Sequence, residues 1–356
     1  MQLKSLCSGR DNNLNLIRAV AATAVLVSHA YPIALGAGTP EPLKASLGYS
    51  LGTLSVFVFF VISGFLITQS MDRSSSWQNF FVARALRLMP GLIVSLVLVG
   101  LVVGPLVTTW TLDAYLKDPT LMRFLFGNAS LVFMQYHLPG VFEDLPYTAI
   151  VGSIWTLFYE VLCYGMVFAL GLLGVIRRPG ATTAILLAVL VAIHLGDLFT
   201  DDLPRRLNNI QKLTVPFVFG MLAYLWRSHV MMVWWVLPLI LILPVAAFGT
   251  AFYHLALCLA LSYWTLWLGY VPGGAIRRFN DSGDYSYGIY IYAFPVQGLA
   301  VYLMGPQSAL QNVIYSLPPT ILLGMLSWYL VEKPAMAQKA RLAQWITPKT
   351  AQAQPE

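Results

Sequence analysis

Three ionisable side chains stand inside long apolar stretches of this chain: Arg18, His29 and Glu160. A charge in such surroundings is costly, so each is a candidate for function by default. An arginine fork binds phosphate or carboxylate, and an imidazole takes a proton near neutral pH. A carboxylate beside an imidazole orients it and stabilises its protonated form, making it a better general base. Arg18 and His29 are eleven residues apart. That is close to three helical turns, so they share one helix face at about 16 Å along the axis. Each residue also has a plainer role open to it. The histidine can be buried and bonded to a neighbour, the glutamate can partner a structural cation, and the arginine can snorkel to the interface.

The elements that must position these residues follow from composition. Of the 356 residues, 58% are hydrophobic and 10% charged, and the mean hydropathy is +0.70. A soluble domain carries about 25% charged residues, so this chain has too few charges to cover a water-facing surface. Ten apolar segments run over 14–35, 51–70, 90–108, 151–174, 181–199, 213–226, 232–248, 251–270, 285–304 and 310–331. Most have the roughly 20 residues that a spanning helix needs. Lipid satisfies no backbone group, which excludes open sheets, and barrel-like alternation is missing. The expected fold is therefore all-α, a polytopic integral membrane protein of about ten transmembrane helices. Only Gly249 and Thr250 separate the seventh segment from the eighth, and 213–226 is short, so nine to eleven helices also fit. The expected division is a transmembrane domain over 1–336 and a polar cytoplasmic tail over 337–356. A cleaved signal peptide within 1–38 is disfavoured, because Arg18 and His29 would fall in its core.

The net charge of +6 is better explained by topology than by a nucleic-acid partner. With the N-terminus inside, the inner segments carry Lys4, Arg10, Arg73, Arg84, Arg87, Arg177, Arg178, Arg227, Arg277, Arg278, Lys333, Lys339, Arg341 and Lys349. The outer segments carry Lys44, Lys117, Arg123, Arg205, Arg206 and Lys212, a bias of 14 to 6. Cytoplasmic loops are the ones enriched in Lys and Arg, so both termini are expected inside. Arg18 then lies near the cytoplasm and His29 in the outer half of the first helix. Glu160, on a segment running inward, falls within roughly a turn of His29 in depth. These matched depths favour a functional role for the three residues, with Glu160 as the expected partner of His29.

The long outer loop over 109–150 mixes Trp110, Tyr115, Phe124, Phe126, Tyr136 and Tyr147 with charges. Aromatics of this kind suit a membrane interface or a lid over a carbohydrate. Cys7, Cys163 and Cys258 are odd in number and lack metal-ligand spacing, so neither a disulfide framework nor a metal site is expected. His137, His194, His229 and His254 look ordinary, and neither His137 nor His194 has an aspartate five positions on, which argues against a His-x4-Asp acyltransferase.

The motifs carry a family likeness. Asn15-Leu16-Ile17-Arg18-Ala19, with His29 downstream, resembles the opening motif of the acyltransferase-3 membrane O-acyltransferases. Phe59-Phe60-Val61-Ile62-Ser63-Gly64-Phe65-Leu66-Ile67 is similar to their second-helix signature, and Phe81-Val82-Ala83-Arg84-Ala85-Leu86-Arg87-Leu88-Met89-Pro90 to their basic loop. Ser153-Ile154-Trp155-Thr156-Leu157 with Glu160 resembles the fourth-helix motif. Asp284-Tyr285-Ser286-Tyr287-Gly288-Ile289-Tyr290 and Val331-Glu332-Lys333-Pro334 complete a likeness that spans about residues 12–336 in order. The chain departs from the pattern at Ala293, where many relatives have a histidine, and at Ala83, where a first arginine is common.

The resemblance implies transfer of an acyl group, commonly acetyl, from cytoplasmic acyl-coenzyme A (acetyl-CoA as donor, no metal) to a carbohydrate or glycolipid hydroxyl on the outer side of a bacterial inner membrane. It makes His29 and Glu160 the catalytic candidates, and Arg18, Arg84, Arg87, Ser63 and Gly64 the donor-binding ones. Trp155 and Tyr287 become acceptor-binding candidates. The residue chemistry agrees, since guanidinium forks bind phosphates bidentately. The arginines can also serve topology alone, Gly64 can serve close helix packing, and the Tyr285–Tyr292 cluster can serve packing or interfacial anchoring. Direct transfer and an acyl-enzyme relay are both open. The acceptor is also open among O-antigen lipopolysaccharide, exopolysaccharide, peptidoglycan, a lipo-oligosaccharide and a small glycoside. The rival function is a transporter or flippase of a lipid-linked glycan with the same trio lining its path, although no inverted repeat of broken helices is visible.

Overall fold

The computed structural model describes residues 1–9, 11–74, 76–199 and 204–346, with the backbone alone for 194–199 and 345–346. Arg10, Lys349, the side chain of His194 and the tail over 347–356 lie outside the described residues. Nine longer helices organise the described residues: α1 Leu14–Leu35, α2 Leu51–Asp72, α3 Trp77–Leu98, α4 Trp155–Leu172, α5 Pro179–Phe199, α6 Arg205–Leu225, α7 Tyr253–Tyr270, α8 Ser286–Met304 and α9 Ala309–Ser327. One isolated bridge, Gln2 with Met231, is the only β pairing among the described residues.

Among the described residues, six helices are long and apolar enough to cross a membrane, including α3 continued to Val107 and α9 continued to Gln344. A seventh appears if α7 is joined to the Gly274–Ser282 stretch, which turns by 92° from it. The expected segment over 181–199 falls within one helix, α5, whereas those over 213–226 and 232–248 take other forms. In α6 the first half carries Arg205, Arg206, Asn208, Asn209, Gln211 and Lys212. No straight helix forms over 232–248, which breaks into Val236–Ile240 and Ile242–Ala246. Pro238 and Pro244 sit inside these pieces, and a proline removes a helical donor and crowds the preceding turn.

The chain forms two compact units, each assembled from separated stretches. The first takes Met1–Ala21, Thr53–Arg73 and Thr156–Asp284; the second takes Ala22–Gly52, Ser74–Trp155 and the chain from Tyr285 on. In the first unit, α2 and α6 meet backbone to backbone. A Cβ on Gly64 would lie 2.0 Å from the Phe217 carbonyl oxygen, and one on Gly220 would lie 2.2 Å from that of Val61. Small residues permit such an approach where apolar lipid gives helices no hydrophobic reason to associate. Phe65 then packs its ring against Tyr224 and Tyr270, with centroids 5.5 and 5.6 Å away.

In the second unit, α8 and α9 pack closely at Gly288 and Gly324, where a Cβ on Gly288 would lie 2.7 Å from the Gly324 Cα. A fully buried amide pair joins the same helices. Gln297 Nε2 donates to Asn312 Oδ1 at 2.9 Å and to the Leu26 carbonyl at 2.8 Å, and Asn312 Nδ2 donates back to the Gln297 carbonyl. The loop aromatics divide. Tyr115 and Phe124 are sealed, and the Tyr115 hydroxyl donates to the Gly100 carbonyl at 2.7 Å, whereas Trp110 and Phe126 are exposed.

Because the space at Gly64 is filled by backbone, Gly64→Ala should destabilise the protein by about 1–3 kcal/mol, as overpacking does. A thermal melt in detergent reads this out; an unchanged midpoint would mean that α2 and α6 do not touch there.

Candidate functional site

Each unit holds part of the set of residues singled out by the sequence. In the second unit, His29 sits in the C-terminal half of α1, where its ring meets Phe294 of α8 edge-on with centroids 5.3 Å apart. Phe294 in turn meets Tyr147 at 5.5 Å. It can do so because Gly152 has no side chain, as a Cβ there would lie 2.3 Å from the phenyl ring. Beside Phe294, Ala293 is buried where a histidine is common in the resembling family.

The His29 side chain is half-buried, while its Nδ1 is sealed and has no hydrogen-bond partner among the described residues. Buried ring nitrogens are ordinarily bonded, so a lone one is equipped to take or give a proton. The carboxylate fastened to the helix next to His29 is Glu41, in the loop between α1 and α2. Glu41 accepts from the hydroxyl of Ser28, the residue before His29, and Ser28 accepts from the Gly52 N–H at 2.9 Å.

Glu160 has other partners. In the first unit its Oε1 accepts from Ser63 Oγ at 2.8 Å and from the Tyr164 hydroxyl one turn along α4. Ser63 and Glu160, drawn from separate motifs, are thus brought together. Arg18 is held by Asp284, with Nη1 2.9 Å from Oδ2 and the carboxylate largely buried. Asn15, one turn earlier, donates to the Asn280 and Gly283 carbonyls and ties α1 to the same turn. Gly64 is occupied by α6, so its close approach serves helix packing.

The basic motif of α3 is equally engaged. Arg87 Nη1 lies 2.7 Å from Glu332 Oε2, and its guanidinium stands between the rings of Tyr287 and Trp328, 5.8 and 5.6 Å from their centroids. Glu332 is 0% exposed and also accepts from Ser327 at 2.9 Å. Tyr287 donates its hydroxyl to the Leu88 carbonyl at 2.8 Å and lays its ring over Gly91. Arg84, one turn before Arg87, is half-buried on α3, and Trp155 opens α4, also half-buried. Ser153 and Tyr290 exchange hydrogen bonds, each hydroxyl donating to the other's carbonyl, and so lock two motifs together.

Sequence reasoning missed Glu41, Asp284 and Glu332 as partners. The last two lie inside quoted motifs, yet 266 and 245 residues separate them from their arginines. The signal for Glu41 is its setting in Pro40-Glu41-Pro42, a carboxylate on a stiffened backbone.

Removing one member of the buried Arg87–Glu332 pair should cost about 3–5 kcal/mol, while replacing both with apolar residues should restore much of it. Glu332→Met is thus expected to melt far below the unaltered protein, and Arg87→Met with Glu332→Met close to it. Equal melting of the single variant would remove the pair from the stabilising contacts.

A family model described as an acyltransferase domain matches residues 11–332. An O-acetyl transferase of Shigella phage Sf6 is 30% identical over 335 residues, which cover 91% of this chain and 96% of that protein. Nodulation protein 10 of Rhizobium leguminosarum bv. viciae is 30% identical over 376 residues, 94% of this chain and 96% of its own. No solved structure matches the chain. The order of motifs, the long apolar helices and a match over nearly the whole length agree, and the chain belongs to the acyltransferase-3 family as a multi-pass membrane enzyme that transfers acyl groups other than amino-acyl groups.

Proposed function

We propose that this enzyme transfers an acetyl group from acetyl-CoA on the cytoplasmic side to a carbohydrate hydroxyl on the outer side of a bacterial inner membrane, with His29 as general base. The observation that carries this is the sealed, unpartnered Nδ1 of His29 among the described residues. It lies on the same helix as Arg18 and about 16 Å away along the axis. One ring nitrogen takes the proton of the acceptor hydroxyl as its oxygen attacks the thioester carbonyl. The new C–O bond forms, the C–S bond breaks, and the departing thiolate takes up the proton. The products are an acetyl ester and the free thiol. The likeness to an O-acetyl transferase supports acetyl over longer acyl groups.

In this reading both termini are cytoplasmic, on the bias of inner Lys and Arg. The count of six reaches ten if α5, α6, α7 and the broken stretch over 232–248 also cross, tilted or in pieces. Arg18, Arg84 and Arg87 are in this reading the residues assigned to the coenzyme's phosphates, which guanidinium groups bind bidentately. Ser63, held by Glu160, belongs to the donor's path, and Trp155 and Tyr287 flank the acceptor's. Glu160 acts on the reaction in this reading through Ser63 and Tyr164, the groups it holds.

His29→Ala, at normal membrane levels, should lose about 10²–10⁴-fold of the acetyl transfer rate, the share a positioned base supplies. Full retained activity in an assay of acetyl ester on membrane glycans would sink the assignment. Arg84→Ala should raise the KM for acetyl-CoA with little change in kcat, and an unchanged KM would return Arg84 to a topological role.

A further inference from the structure

We propose that Glu41 is the positioning residue of His29, holding the imidazole through Ser28 and supplying the negative charge that the protonated ring needs. This rests on His29 being the base. Three observations carry it. Ser28 immediately precedes His29 on α1, and its hydroxyl donates to the Glu41 carboxylate, so the acid is fastened to the turn of the helix that carries the base. Ser28 Oγ in turn accepts from the Gly52 N–H, which ties the entrance of α2 to the same point. There is little slack at this junction, since a Cβ on Gly52 would lie 3.0 Å from Ser28 and 3.3 Å from the Glu41 carboxylate.

The backbone around Glu41 is built to hold still. Pro40 and Pro42 flank it, fixing φ on both sides and keeping Glu41 itself extended. The Pro42 carbonyl accepts from the Leu51 N–H at 2.8 Å, closing the loop onto the start of α2. The following Leu43 has φ 67°, a left-handed conformation that a non-glycine residue adopts only when its surroundings impose it. Lys44, the cation next along the chain, turns its ammonium to the Gly48 carbonyl at 2.8 Å. A clamp alone would need only an acceptor for the Ser28 hydroxyl, which an amide provides as well as a carboxylate. A full negative charge on a preset segment does more, because it favours the imidazolium formed when the acceptor's proton arrives.

The test uses the full-length chain in inside-out membrane vesicles. Acetyl-CoA is supplied outside, and acetyl ester is measured on the vesicles' own glycans at rising donor concentration. Glu41→Gln keeps the shape and the acceptor for Ser28 but removes the charge. It should lower kcat at least about tenfold, a part of what a positioned base supplies, with the KM for acetyl-CoA within about twofold. Glu41→Asp, which keeps the charge, should recover more of kcat than Glu41→Gln. Glu41→Gln at the unaltered rate, while His29→Ala is dead, overturns the role of Glu41 and leaves the base standing. Equal losses in the Asp and Gln variants, or failure of Glu41→Gln to accumulate in the membrane, make Glu41 a structural clamp and also overturn it. Activity in His29→Ala fells the underlying base assignment instead, whatever the Glu41 variants do.

Discussion

Hydrocarbon offers no partner to a polar group, so each polar side chain within the membrane-spanning helices is best served by another part of the protein. Arg18 is answered by Asp284, Arg87 by Glu332, Glu160 by Ser63 and Tyr164, and Gln297 by Asn312. The Arg18–Asp284, Arg87–Glu332 and Ser63–Glu160 links join stretches 266, 245 and 97 positions apart, and they do so where burial of apolar surface cannot distinguish one neighbour from another, since lipid tails are as apolar as leucine. Glycines at positions 64, 220, 288 and 324 complete the arrangement by letting backbones approach. Polar pairing chooses the neighbours, and small residues set how close they come.

Among the described residues several buried side-chain atoms lack a hydrogen-bond partner, and His29 Nδ1 is the one that belongs to an imidazole. Most family motifs have been absorbed into the scaffold: the tyrosine-rich stretch into α3 and the Ser153 turn, the closing glutamate into the cradle of Arg87. His29 Nδ1 has not been absorbed in this way. Phe294, itself packed against Tyr147 and over Gly152, meets the ring by apolar contact, which fixes orientation without consuming a proton site. An enzyme that works in a dry layer must keep its reactive group unsatisfied while satisfying the groups around it.

Much of this was legible in the residues. Low charge and long apolar runs dictate a helical membrane protein, and helical phase puts Arg18 and His29 on one helix, as found. What composition could not convey was continuity. The run over 232–248 is apolar enough to span, yet Pro238 and Pro244 divide it, and α6 begins about two turns before its apolar part in a polar stretch. Long-range pairing was also hidden. Depth matching nominated Glu160 for His29, because depth ranks carboxylates on helices and passes over those on loops. Glu41, thirteen residues from Ser28, is tied to α1 by the loop's return. A stiff turn between two prolines was the available clue.

The Arg18–Asp284 pair has a temporal side. The two residues are separated by 266 positions, and chains are synthesised at about 5–20 residues per second. Arg18 therefore enters the bilayer roughly 13–50 s before its counter-charge exists. During that interval its guanidinium must be held by lipid phosphate, by water or by the insertion machinery. The arrival of Asp284 releases it and closes the first unit, making that late aspartate a latch on assembly as well as a partner in the finished protein.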